Sequence, residues 1–153
     1  MGLIEERLAD LGIELPPSFT PIANFDVTAR TGSLLYVSGH GPTQGSEIVF
    51  SGHVTSEVSL EEAYRAARLS ALNCLRSMQD GLGSLDRVRR IVKVVGMVWS
   101  DPDFTGQPQV VNGASDLLVE VFGGRGRHAR SAVGMAGLPF GMPVEIEMVV
   151  EVD

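Results

Sequence analysis

A layered fold, α/β or α+β with helices on one face of a sheet, is what three observations in the sequence predict. Short β-rich runs at both ends of the chain alternate with two long helix-patterned segments. The last run, "VEIEMVVEV", alternates apolar and acidic residues, as a strand with one covered face does. The chain has 153 residues, 44% of them hydrophobic and 20% charged, an ordinary globular composition with enough length to bury a core.

Taken in order, Leu3, Ile4, Leu8 and Leu11 recur at helical spacing, and Gly12 can end a helix over residues 3–11. "ELPPSFTPIAN" is a proline-rich connector. "FDVTART" and "SLLYVSG" form a hairpin pattern across Gly32-Ser33. "HGPTQGS" reads as a loop and "EIVFSGHV" as a third short strand. Ser59 and Glu62 make a capping box before the clearest helix, whose stripe of Leu60, Ala63, Tyr64, Ala67, Ala71, Cys74, Leu75 and Met78 runs to Gly81 and Gly83. Its alanines allow it to lie close on a sheet. "RVRRIVKVVGMVW" reads as a central strand buried on both faces. A second helix starts near Pro108 and stops at Gly123-Gly124, "GRGRHA" connects, and "RSAVGMAG" and "PVEIEMVVEV" are strands joined by "LPFGMP". No linker, repeat or low-complexity tract divides the chain.

Charge and cysteine content exclude several classes. A net charge of -7 argues against nucleic acid as a partner, since that requires a basic face. The single cysteine, Cys74, can form no internal disulfide, which fits a reducing compartment. The acidic N-terminus lacks a secretory pattern, and no apolar run approaches membrane-spanning length. The cytoplasm is the expected location. His40, His53 and His128 lack metal-ligand spacing, and no GxxxxGK[ST] or GxGxxG frame supports a nucleotide cofactor.

The candidate chemistry begins at Arg130. A guanidinium is a planar fork that stays charged and matches a carboxylate, and the small residues Ser131, Ala132 and Gly134 leave room beside it. An arginine at a strand start is also commonly solvated or ion-paired, and spacing alone does not decide. Glu145, Glu147 and Glu151 share one face of the last strand; Val144, Ile146, Met148, Val150 and Val152 take the other. A glutamate beside a substrate can orient or deprotonate a water, while Glu147 and Glu151 read as a wet acidic face. In "VSGHG", Gly39 lets backbone N–H groups approach a ligand. Ser38 and His40 there suggest a serine–histidine pair, but G-x-S-x-G is absent and no acid is placed to orient the histidine. Lys93, the sole lysine, reads as a snorkelling or paired residue rather than a Schiff-base former.

"ARSAVGMAGLPFGMPVEIE" (129–147) resembles the C-terminal signature of the RidA/YjgF family of reactive-intermediate deaminases, some of which carry the label endoribonuclease L-PSP. "GSLLYVSGHGP", "AARLSALNCL" and "VVNGASDLL" resemble further family segments in the same order, so the likeness spans roughly residues 24–153. It implies a single α+β domain over 1–153 of the chorismate-mutase-like kind, with two long helices on one sheet face. Residues 1–23 form an added N-terminal helix and proline-rich extension. It further implies a homotrimer with clefts between subunits, no cofactor, and hydrolysis of enamines and imines such as 2-aminoacrylate to 2-keto acids and ammonia. By position, Arg130 matches the arginine that grips the substrate carboxylate and Glu145 the glutamate associated with the attacking water. Ser38, Gly39, Asn112 and Ala132 match further substrate-binding positions. Phe25 stands where a tyrosine is common and His40 where glutamine is common. The open alternatives are a non-catalytic module binding a small carboxylate and, against the acidic charge, an RNA-cleaving protein.

Overall fold

The computed structural model describes residues 2–153, so Met1 of the expected extension lies outside them. The elements are α1 (Leu3–Asp10), β1 (Thr28–Thr31), β2 (Leu34–His40), β3 (Thr43–Gln44), β4 (Glu47–Ile48), α2 (Leu60–Leu82), β5 (Val88–Trp99), α3 (Gln107–Phe122), β6 (Ala129–Met135) and β7 (Val144–Val152). Five strands form one mixed sheet in the order β1-β2-β7-β5-β6. The β5–β6 pair is parallel, joined through α3, and the other pairs are antiparallel. The helices pack on a single face, as the α+β expectation has it.

The apolar residues predicted for β7 explain that layering. Val144, Ile146, Met148, Val150 and Val152 are all buried against the helices, with Val94 and Val98 of β5 and Leu35 and Val37 of β2. From α2, Ala63, Ala66, Ala67, Ala71, Leu75 and Met78 meet them. Each large aliphatic side chain buried this way contributes about 1.5–3 kcal/mol. The Ser59–Glu62 capping box is formed in both directions. Small residues then set the height of α3: a Cβ at Gly96 would lie 2.3 Å from a Val111 methyl, and one at Gly113 would lie 2.0 Å from the Tyr64 carbonyl oxygen. The helix can thus settle against both α2 and β5.

Four sequence expectations need correction. The "EIVFSGHV" strand shrinks to Glu47–Ile48, which pairs with Thr43–Gln44 inside the expected loop, in a separate two-stranded ribbon. "FDVTART" contributes only Thr28–Thr31. The connector "GRGRHA" overlaps a short 3₁₀ turn over Gly123–Gly126. The strand β5 is central, yet only its helix-facing side is buried in this chain: Lys93, Val95, Met97 and Trp99 on its other side are half-exposed. Continuous apolarity predicted two covered faces, and one chain covers one. Among the described residues no helix is long and apolar enough to cross a membrane.

The extension is docked. Ile4 and Leu8 are buried while Leu3 is exposed. The Asp86 carboxylate accepts from the N–H groups of Leu3 and Ile4, and Glu5 in turn accepts from the Leu85 N–H and the Ser84 hydroxyl. Each segment caps the start of the other.

Candidate functional site

Strand β6 puts Arg130, Ala132 and Gly134 on the helix side, because Arg130 pairs with buried Val94 and Ala132 with Gly96 in parallel register. The guanidinium turns toward α3. It donates to the Asn112 side-chain oxygen at 2.7 Å, the Ser115 hydroxyl at 3.2 Å and the Pro108 carbonyl at 3.3 Å. All three acceptors are neutral, and among the described residues no carboxylate pairs with Arg130. The cation is therefore fixed in direction with its charge uncompensated, which suits an incoming anion. Asn112 is a position the resemblance implies. Ser115 is not among those positions, although it lies one turn after Asn112, which puts both on one helix face.

His128 completes this wall. Its Nε2 and the Ser115 hydroxyl are 2.9 Å apart and its Nδ1 lies 2.6 Å from the Gly126 carbonyl. Burial, opposed by that carbonyl bond and helped by the Arg130 charge, lowers its pKa, so the neutral ring is favoured beside the guanidinium.

Glu145 is elsewhere. It pairs with Met97 in antiparallel register and projects from the open face, opposite to the helices. Arg130 and Glu145 thus lie on opposite faces of the sheet, with β5 between their strands. Burial pushes the Glu145 carboxyl above the ordinary carboxylate range, and the Glu147 charge pushes it the same way.

Ser38 and Gly39 belong with Glu145. Between the Val37–Met148 and His40–Ile146 pairs, β2 has one residue more than β7, a bulge that sets Ser38 and Gly39 against Glu147. The bulge is held by the Ser38 N–H, which donates to the Val27 carbonyl at 2.9 Å, and by its hydroxyl, which donates to the Asp26 carbonyl at 2.6 Å. A Cβ on Gly39 would lie 2.8 Å from the Glu145 carboxyl carbon, so the carboxylate rests over a position that only glycine leaves free. The sequence pointed to Gly39 for its backbone; this contact was missed.

The remaining two predicted residues are placed differently from each other. His40 faces the helices, 4% exposed. Its Nδ1 lies 2.5 Å from the Ser38 carbonyl and its Nε2 2.8 Å from the Ser77 hydroxyl, while Phe19 packs edge-on. A ring that donates to the carbonyl and accepts from the hydroxyl is neutral, in keeping with a pKa lowered by burial. Within this chain His40 supports the Ser38 carbonyl and does not face Glu145. Phe25 is on the surface, 42% exposed, with no hydroxyl to offer.

On the open face a hollow of about 240 Å³ is lined by Tyr36, Ser38, Lys93, Val95 and Glu147 among others. Neither Arg130 nor Glu145 lines it. Lys93 donates to the Ser131 hydroxyl at 3.0 Å there, and among the described residues no carboxylate pairs with it.

Residues 5–150 match the family described as "YjgF/chorismate_mutase-like, putative endoribonuclease". The chain is 43% identical over 153 residues to Protein TCP17 of Trypanosoma cruzi, covering 99% of this chain and 96% of that protein. Among solved structures, Atu1372 of Agrobacterium tumefaciens is 46% identical with a TM-score of 0.91, over 98% of this chain and 92% of that one. A protein from Shewanella oneidensis MR-1 is 28% identical with a TM-score of 0.94, over 99% and 100% respectively.

Proposed function

The chain belongs to the YjgF/chorismate mutase-like family, and on that premise we propose that it hydrolyses reactive enamine and imine intermediates to 2-keto acids and ammonia, at sites completed between copies of a homotrimer. The observation that carries the reading is Arg130: a guanidinium aimed by three neutral acceptors, with no carboxylate of its own. A 2-imino acid offers the missing anion at one end and an electrophilic carbon at the other.

In this reading Arg130 and the Asn112 beside it hold the substrate carboxylate. Glu145 of a second copy takes a proton from water as the water oxygen bonds to the imine carbon. Glu145 returns that proton to the nitrogen, which completes a carbinolamine; the carbinolamine hydroxyl then gives up its proton to the amino nitrogen as the C=O bond forms and the C–N bond breaks, and ammonia leaves the keto acid behind. The raised Glu145 pKa brings this base closer to neutrality, where proton transfer is more effective. Positioning supplies the rest, since the imine is already labile. No step needs a cofactor.

Two facts support a shared site. Arg130 and Glu145 occupy opposite faces of one chain. The open face also leaves Tyr36, Val133 and Met135 partly in water, as a surface awaiting a partner does. A mixture of Arg130→Ala and Glu145→Gln chains tests it. Each variant alone is expected to turn over 2-iminopropionate at no more than about a tenth of the wild-type rate, and random mixing within a closed oligomer raises this to roughly a quarter of wild-type activity. An Arg130→Ala protein with wild-type turnover, or a mixture that recovers nothing, overturns the shared site.

One observation favours a second reading, a small-carboxylate-binding module without turnover: Phe25 offers no hydroxyl near the cleft. Keto-acid binding by calorimetry beside zero turnover would select it. An RNA-cleaving role is disfavoured by the net charge of -7.

A further inference from the structure

A guanidinium fork serves a substrate only if one edge of it stays free, and the contacts behind the fork decide which edge that is. We infer that Ser115 and His128 are positioning residues for carboxylate capture: His128 holds the Ser115 hydroxyl, and that hydroxyl holds Arg130 by Nη1. The inference rests on the reading of Arg130 as the group that grips the substrate carboxylate.

Arg130 has five N–H donors. Nη1 donates twice, to Asn112 Oδ1 at 2.7 Å and to the Ser115 hydroxyl oxygen at 3.2 Å. Nη2 donates once, to the Pro108 carbonyl at 3.3 Å. Among the described residues no acceptor meets the Nε hydrogen. What stays free is Nε–H and one Nη2 hydrogen, which can meet the two oxygens of one carboxylate along the side of the fork. Losing Ser115 would release an Nη1 hydrogen and let an anion approach at a different edge.

The Ser115 hydroxyl can accept from a cation only while its own hydrogen points elsewhere, and His128 supplies that direction. The Gly126 carbonyl, 2.6 Å from Nδ1, can only accept, so Nδ1 carries a hydrogen. In the neutral ring Nε2 is then bare and accepts the Ser115 hydrogen at 2.9 Å. The donors therefore run one way, from Arg130 through Ser115 and His128 to the Gly126 carbonyl. Burial and the Arg130 charge both favour the neutral ring on which this order depends.

The far end of the chain of bonds is anchored as well. Gly126 is buried, and a Cβ there would lie 2.1 Å from the Leu118 carbonyl oxygen, so the turn that carries it sits directly on α3. Ser115 and Leu118 are one turn apart on that helix, and both ends of the chain thus belong to one rigid element. Asn112 is exposed while Ser115 and His128 are half-buried, so the pair acts from behind the fork and not on the substrate itself.

Steady-state kinetics on 2-iminopropionate and calorimetry with pyruvate, on the same full-length variants, test the inference. Ser115→Ala removes one hydroxyl from a helix and should fold. It is expected to raise KM and the pyruvate Kd by about fivefold, the net effect of one hydrogen bond, with kcat within about twofold of wild type. His128→Leu should do the same, and the double variant no more than either single one, because both act through one contact. His128→Gln, whose amide oxygen can accept from Ser115, should bring KM back to within about twofold of wild type. Nitrogen NMR of the His128 ring at neutral pH should show a protonated Nδ1 and a bare Nε2. Ser115→Ala with wild-type KM and Kd, a loss confined to kcat, additive losses in the double variant, a His128→Gln as weak as His128→Leu, or a proton on Nε2 each overturns the inference and leaves imine hydrolysis standing. Absent turnover with pyruvate binding still weakened by Ser115→Ala removes the imine-hydrolysis reading and upholds the inference, whose subject is the carboxylate. A wild-type protein that neither turns over the imine nor binds pyruvate removes both.

Discussion

Replacing Gly39 by alanine separates catalytic placement from stability. The added Cβ would sit 2.8 Å from the Glu145 carboxyl carbon, 3.0 Å from its Oε2 and 3.1 Å from its Cγ. Carbon atoms rest at about 3.5–4.0 Å, so the carboxylate must retreat by about 0.7 Å or more. Gly39 is not among the glycines with positive φ, so alanine meets no backbone penalty there. The atoms in the way belong to the end of a rotatable side chain, which can move. Glycine to alanine also restricts the unfolded chain, by about 0.4–1 kcal/mol in favour of folding. Stability should therefore change by no more than about 1 kcal/mol, a shift of roughly 2–4 °C for a chain of this size. Activity should not be spared: a 1 Å misplacement of a reacting group costs on the order of 100-fold. The assay is loss of an in-situ imine followed beside a thermal melt. In a Glu145→Gln background the alanine should cost nothing further, because the two changes act on one group. Wild-type kcat/KM in Gly39→Ala with an unchanged melt would refute the role given to Glu145.

Other expectations follow from the same geometry. Arg130→Ala should lower kcat/KM by about 10- to 150-fold, the worth of a charge-assisted pair of about 1.5–3 kcal/mol, and Arg130→Lys should recover little of it because one ammonium cannot keep the Asn112, Ser115 and Pro108 bonds while binding substrate; saturation kinetics on both variants decide. The pH–rate profile should show an acid limb above the ordinary carboxylate range that vanishes in Glu145→Gln. The folded state holds the Glu145 proton more tightly than the unfolded one, so its stability contribution is present in acid and lost as pH rises through the folded pKa. Glu145→Gln should accordingly melt higher than wild type at pH 7 and no higher at pH 4. His40 has the opposite sign: its lowered pKa favours the folded state above the unfolded value near 6.5, and acidification below that should erode stability less in His40→Asn than in wild type, as denaturant titrations at pH 7 and 5 will show.

Much of the fold was legible because local and global signals agreed. The Ser59–Glu62 box and the alternation of β7 name an element and its buried face and are found as read; the α2 stripe is buried from Ala63 through Ala67, Ala71, Cys74, Leu75 and Met78, while its first member Leu60 is exposed and Tyr64 reaches Asp116 at the surface. The short strands were less legible. "EIVFSGHV" has strand composition, yet its chain turns at Gly52, whose φ is 117°, so that Glu47–Ile48 pair with Thr43–Gln44 and Val54 makes only isolated bridges. Apolarity in β5 predicted two covered faces because composition does not say whether the covering surface belongs to the same chain. At the candidate site, the residue types were legible and their faces were not. Arg130 and Glu145 are 15 positions apart in one signature, which hides that the β6–β7 connection carries the chain past β5 and turns them to opposite sides. The Gly39 contact was illegible because it depends on a bulge, and a one-residue offset between two strands leaves no mark in either strand alone.

The exchange of caps between residues 3–5 and 84–86 ties together pieces of chain some eighty positions apart. Neither can loosen alone. Freeing the N-terminal helix strands the amides of Leu85 and the hydroxyl of Ser84, and disturbing that turn takes away the acid that the helix start leans on. The two therefore open as one cooperative unit, with matched amide-exchange rates. A truncation that discards the first dozen residues as a tail would loosen the turn that launches the central strand, well away from the cut.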